Sequence, residues 1–230
     1  MNKKKITNNG RRELYFPSDI RIRAREENGA EESRTIEGTA IVFNRESLPL
    51  YEDDELCIRE VIAPEAVTRD LLDSGTILMT LYHDGGRLLA RSLQGKGTLS
   101  YDVDSEGVKF RFDAPDTEDG RVALEAIKRG DITGCSFAFR ANYGDRNEVE
   151  RSSETKDGKE YVTYRIRRIR SVHDFTLTPL PAYPDTECSE ARELYPDAFE
   201  HRDNDTEGVA GKAARAAEIE RIMKIAENRY

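Results

Sequence analysis

Tryptophan is absent from the 230 residues, and cysteine, methionine and histidine each occur only three times. The cysteines, Cys57, Cys135 and Cys188, are odd in number and far apart, which excludes a disulfide framework and any Cys-x-x-Cys metal site. They read as free thiols in a reducing compartment. His83, His173 and His201 stand singly and no His-Glu-x-x-His occurs, so no metal is expected. Glycines never assemble into a phosphate loop, so no nucleotide or other cofactor is expected. No apolar run approaches ~18 residues, which excludes a membrane-spanning helix. The basic start, Met1-Asn2-Lys3-Lys4-Lys5, lacks the following apolar stretch of a secretory signal. Positive charge is also short, with 36 Lys and Arg against 45 Asp and Glu for a net charge of −9. A nucleic-acid partner would call for a basic face, so none is expected.

Charged residues are abundant at 35%, against about 25% in ordinary globular chains. Much of that charge must therefore sit in solvated ends. Residues 1–33 are dense in charge and Asn, with Leu14, Tyr15, Phe16, Ile20 and Ile22 too sparse for a core; they are expected to form a flexible arm. Within it, Ile20 to Arg25 alternates like an edge strand. The globular part is expected over 34–188, and 189–230 as a charged helical tail carrying the amphipathic stripe Ile219, Ile222, Met223 and Ala226.

Between these ends, strands are expected at 36–43, 58–62, 77–83, 88–91, 97–103, 107–113, 132–140 and 161–177. Asp84-Gly85-Gly86 and Asp104-Ser105-Glu106 supply turn chemistry. Helices are expected at 65–72, opened by Pro64, and at 118–129, ended by Gly130. Residues 144–160 read as a polar hairpin loop, and Pro179, Pro181 and Pro184 stop regular pairing. Many short strands and two helices make an α+β domain built on an antiparallel sheet or barrel.

Three positions could carry chemistry. In Gly134-Cys135-Ser136-Phe137-Ala138-Phe139-Arg140 the two-residue period puts Cys135, Phe137 and Phe139 on one face and Ser136 on the other, between Gly134 and Ala138. The aromatic face anchors the strand, while the small face leaves room for a substrate backbone beside the hydroxyl. Cys135 falls on the packing side. His83 follows Ile77, Met79 and Leu81 on one strand face and emerges at the core edge, where an imidazole suits a general base. Val172-His173-Asp174-Phe175 offers both a carboxylate and a second imidazole that could orient His83, and the spacing leaves Asp174 and His173 both open. Taken alone, Ser136 and His83 each read first as an ordinary polar side chain on a half-buried strand, and His173 and Asp174 as polar side chains near a strand start.

The ordered segments Glu37–Asn44 (EGTAIVFN), Arg59–Ala66 (REVIAPEA), Leu81-Tyr82-His83-Asp84, Ala114-Pro115-Asp116-Thr117, Arg129–Phe139 (RGDITGCSFAF) and Pro181–Thr186 (PAYPDT) together resemble the prohead, or capsid maturation, serine proteases of tailed phages. The resemblance implies a mostly antiparallel β-barrel with a few surrounding helices, related to the herpesvirus maturation proteases. It implies Ser136 as nucleophile, His83 as base and Asp174, ahead of His173, as third member. It also implies cleavage of a scaffold or of the capsid protein's scaffolding segment, and of the protease's own ends. The expected partners are the major capsid protein, a scaffold supplied by another chain, and further copies of itself. The expected setting is the assembling procapsid in the cytoplasm of the bacterial host. Cys135, where Met is more familiar, the polar stretch 144–160 and His173 depart from the family pattern without removing nucleophile or base. Two other readings stand beside this one: a catalytically inactive scaffold- or capsid-binding structural protein on the same fold, and an unrelated β-rich interaction module.

Overall fold

Period-two alternation dominates residues 35–178, and it resolves into three sheets in the computed structural model, which describes residues 11–17, 19–23, 33–179, 191 and 195–199. The first sheet has the order β1 (Arg11–Pro17), β11 (Gly134–Arg140), β14 (Ser171–Thr178), β6 (Thr76–Leu81), β7 (Asp84–Leu93) and β8 (Lys96–Gly97). The second runs β2 (Arg21–Ile22), β3 (Thr35–Val42), β10 (Gly107–Asp113), β9 (Ser100–Val103). The third runs β12 (Val149–Lys156), β13 (Lys159–Ile166), β5 (Leu56–Ile62), β4 (Tyr51–Glu52). Pairing is antiparallel except for β14 with β6 and β13 with β5.

The α+β class and the antiparallel majority hold, but the expected barrel does not form. Each sheet is open among the described residues, and β2, β4 and β8 close off their edges as two-residue strands. Barrel closure needs end strands long enough to pair with each other at a consistent stagger, which such stubs cannot do.

The chain's 1–185 unit contains all three sheets, and the described residues of the 186–230 unit include a short helical stretch at 196–199. The amphipathic stripe at 219–226, Cys188, the Pro181–Thr186 segment and the end of the expected edge strand at 24–25 lie outside the described residues.

Local chemistry explains the elements that flank the site. Helix α2 (Glu118–Arg129) starts where the Thr117 side chain accepts the Gly120 N–H, carries Glu118 and Asp119 in its first turn and Lys128 and Arg129 in its last, and stops at Gly130 with φ +77°. The helix expected at 65–72 is instead split. A 3-10 turn at Pro64–Ala66 gives way to extended Val67, and Thr68 caps a new helix, α1 (Arg69–Asp73), by accepting the Leu71 N–H. The supposed loop at 144–160 contains β12, joined to β13 across Asp157-Gly158. The arm is corrected as well. Residues 11–17 are a strand, and Leu14 and Tyr15 are buried.

The core of the first sheet is aromatic. Phe137 and Phe139 on β11 stack with centroids 4.9 Å apart, and Phe175 on β14 is fully buried as well. Complete burial of each such ring contributes about 1.5–3 kcal/mol. Three adjacent strands, β11, β14 and β6, are thereby fixed against one another before any polar group on their other face is considered.

Candidate active site

The face opposite the phenylalanines is polar and nevertheless buried. Ser136 pairs with Thr176 across β11 and β14, and Ala138 pairs with Asp174, so Ser136, Thr176 and Asp174 share one face. A register shift between Ala138 and Phe139 follows directly after this run, so the alternation read from the sequence holds where the site needs it.

His83 arrives from the neighbouring strand. β6 and β7 are joined by Tyr82-His83, with Leu81 opposite Asp84, and both turn residues have left-handed backbone at φ 59° and 56°. The turn is thus made at the two residues immediately before Asp84-Gly85-Gly86, the turn that the sequence suggests. Left-handed backbone suits Gly, Asn or Asp, and a non-glycine residue there is disfavoured by about 1–2 kcal/mol. The neighbouring strand supplies what holds it. Tyr82 N–H donates to the Leu177 carbonyl at 3.2 Å, and His83 N–H donates to the Thr176 hydroxyl at 2.8 Å. That hydroxyl donates in turn to the Thr80 carbonyl at 3.1 Å and accepts from the Thr80 hydroxyl at 2.9 Å. On the solvent side the Arg87 guanidinium lies 5.0 Å from the centre of the Tyr82 ring and pairs with Asp119 at 2.8 Å, linking the turn to α2.

This bent backbone aims the imidazole onto the polar face. Nδ1 lies 2.6 Å from Asp174 Oδ1, and Nε2 lies 2.8 Å from Ser136 Oγ. A carboxylate can only accept, so Nδ1–H donates to Asp174 and Nε2 presents its lone pair to the Ser136 hydroxyl. Serine, imidazole and carboxylate form one continuous hydrogen-bonded chain across three adjacent elements. Chemically, such a chain can draw the proton from a serine hydroxyl while the carboxylate faces the imidazolium that results.

The expected candidates are sorted by this geometry. Ser136, His83 and Asp174 come together. His173, at the register shift between β11 and β14, lies with Nε2 3.2 Å from Ser171 Oγ. Cys135 is wholly buried, its thiol donates to the Ser136 carbonyl at 3.4 Å, and burial pushes its pKa far above the ordinary thiol value, so it packs and does not react. No group of three or more His, Cys, Asp or Glu side chains suited to a metal occurs among the described residues.

Sequence reasoning missed three contributors. Thr176 was visible only as a residue on Asp174's face, with nothing to mark its hydroxyl as the anchor of the His83 backbone. Glu13 and Tyr15, from a segment read as a flexible arm, reach the site through β1. Glu13 Oε2 lies 3.7 Å from His83 Nε2, and a side-chain carbon at Gly134 would collide with the Tyr15 phenol.

The family model described as caudovirus prohead serine protease matches residues 18–200. That span contains Ser136, His83 and Asp174 and begins immediately after β1. The chain matches no curated protein and no solved structure.

Proposed function

Because this chain belongs to the caudovirus prohead serine proteases, and is therefore a serine protease of phage head maturation, we propose that Ser136 is its nucleophile, His83 its general base and Asp174 the group that orients and stabilises the imidazolium. The observation that supports this reading is the unbroken chain of hydrogen bonds from Asp174 through His83 to Ser136, at 2.6 and 2.8 Å. Ser136 Oγ attacks the carbonyl carbon of a peptide bond while Nε2 takes its proton. The imidazolium then gives that proton to the departing amine, leaving an acyl group on Oγ. Water, deprotonated by the same Nε2, releases the acyl group and regenerates the hydroxyl.

The substrates on this reading are the scaffold, or the scaffolding segment of the major capsid protein, and the ends of the protease itself. Processing takes place inside the assembling procapsid, in the cytoplasm of the bacterial host. The test is co-assembly of the chain with its capsid protein and scaffold, followed by mass spectrometry of released peptides. Wild type should release discrete peptides and Ser136→Ala none. Identical peptides from both would remove the enzymatic reading and leave a binding protein on a protease fold.

A further inference from the structure

We propose that the outer edge of β11 is the seat of an extended peptide substrate, and that β1 occupies this seat in cis and keeps Ser136 closed. The proposal rests on Ser136 being the nucleophile and adds how its substrate binds and how the site is regulated.

β1 pairs antiparallel with β11 along its whole length, with Tyr15 opposite Ser136 and Glu13 opposite Ala138. Opposed residues of an antiparallel ladder share a face, so Glu13 and Tyr15 stand on the face that carries the hydroxyl, while Leu14, opposite Phe137, enters the aromatic core. Ser136 is 0% exposed. A peptide carbonyl must come within about 3–3.5 Å of Oγ to react, and the β1 ladder with its two side chains occupies the approach from that edge. The Tyr15 ring fills the space that Gly134 leaves by having no side chain. The Glu13 carboxylate sits 3.7 Å from Nε2, the atom that must take the serine proton.

Two further features indicate a removable cover in place of an integral strand. β1 precedes residue 18, where the match to the family begins, so the matched region contains the nucleophile strand without this neighbour. It is also the end strand of its sheet, fastened by Leu14 and by Arg12, whose guanidinium lies 4.3 Å from the centre of the Tyr143 ring, with the Tyr143 hydroxyl donating to Glu60. With β1 detached, β11 presents a free row of backbone donors and acceptors beside Ser136. Strand addition to such an edge is a general mode of peptide recognition. The cradle over Gly134 assigns the occupant's chemistry: an extended segment with a large flat side chain opposite the serine, as Tyr15 has.

The experiment follows labelling of Ser136 by a fluorophosphonate, in which an Oγ–phosphorus bond forms, fluoride leaves and the hydroxyl proton passes to His83. Full-length wild type is compared with full-length Leu14→Asp, which places a charge where β1 meets the core, and hydrogen exchange of the β1 amides is read in both. The variant should lose β1 protection and label at least tenfold faster. A synthetic peptide of residues 11–17 should return its rate toward wild type. Equal labelling rates with β1 deprotected in the variant overturn the proposal and leave the nucleophile assignment standing. No labelling of Ser136 in either protein, with β1 deprotected, removes the nucleophile assignment and the proposal together. Should Leu14→Asp fail to fold or keep β1 protected, Arg12→Asp loosens the strand at Tyr143 instead and is read by the same outcomes.

Discussion

Two hairpin tips in this molecule use the same backbone and opposite chemistry. Asp157-Gly158, between β12 and β13, has φ 53° and 83°, and Tyr82-His83, between β6 and β7, has φ 59° and 56°. The first is the residue pair that a turn with two left-handed positions selects, and its strand β12 is almost wholly exposed beyond Val149. The second forces two bulky residues into the same conformation and relies on the Leu177 carbonyl and the Thr176 hydroxyl to hold them. The first tip is a local solution to a local problem. The second accepts strain so that an imidazole can point back onto the sheet, and strain of this kind gathers where function dictates geometry.

That contrast can be broken from the functional side first. Asparagine tolerates left-handed backbone, so His83→Asn should keep the turn and the melting temperature while proteolysis falls by roughly 10²–10⁴-fold. A comparable loss of thermal stability would mean that the histidine serves the fold. The next effect concerns the anchor. Thr176→Val leaves the partly buried His83 N–H without its acceptor, a loss of about 1–3 kcal/mol, and should lower kcat by about tenfold to a hundredfold with little change in KM. Thr176→Ser should restore most of that rate.

The remaining predictions sharpen the same contrast through stability alone. Gly158→Ala, at φ +83°, should destabilise the chain by about 1–2 kcal/mol and lower the melting temperature by a few degrees without touching proteolysis. Tyr82→Asn should act in the other direction, stabilising by at most about 1 kcal/mol, because relief of left-handed strain is partly offset by loss of the Arg87 contact. Calorimetry on the two variants side by side separates a turn that is already suited to its residues from one that is not.

Much of this arrangement was legible in the sequence where local rules decide it. Gly130 marks the end of the helix expected at 118–129, and the alternation through Gly134–Arg140 places Ser136 opposite the aromatic face because strand side chains have a strict period of two. The same alternation left Asp174 and His173 open, since the choice depends on which face of β14 meets the polar side of β11 and is settled only by pairing between distant strands. Intrinsic preference points to Asp84-Gly85-Gly86 for the turn made at Tyr82-His83, and the hydrogen bonds that override it come from β14, more than ninety residues later in the chain. Asp157-Gly158 carried a turn signal that the surrounding polarity obscured. The burial of Leu14 and Tyr15 had no local signature, because a short apolar run in a charged segment reveals nothing of the sheet edge it will cover.

In the proposed mechanism Ser136 and His83 act as one chemical unit. The direct measurement is a double-mutant cycle on peptide hydrolysis with Ser136→Ala, His83→Asn and the combined variant. Two members of one proton-transfer chain should fail together, so either single change should remove about as much activity as both. Losses that simply multiply in the double variant would show two independent residues and contradict the account.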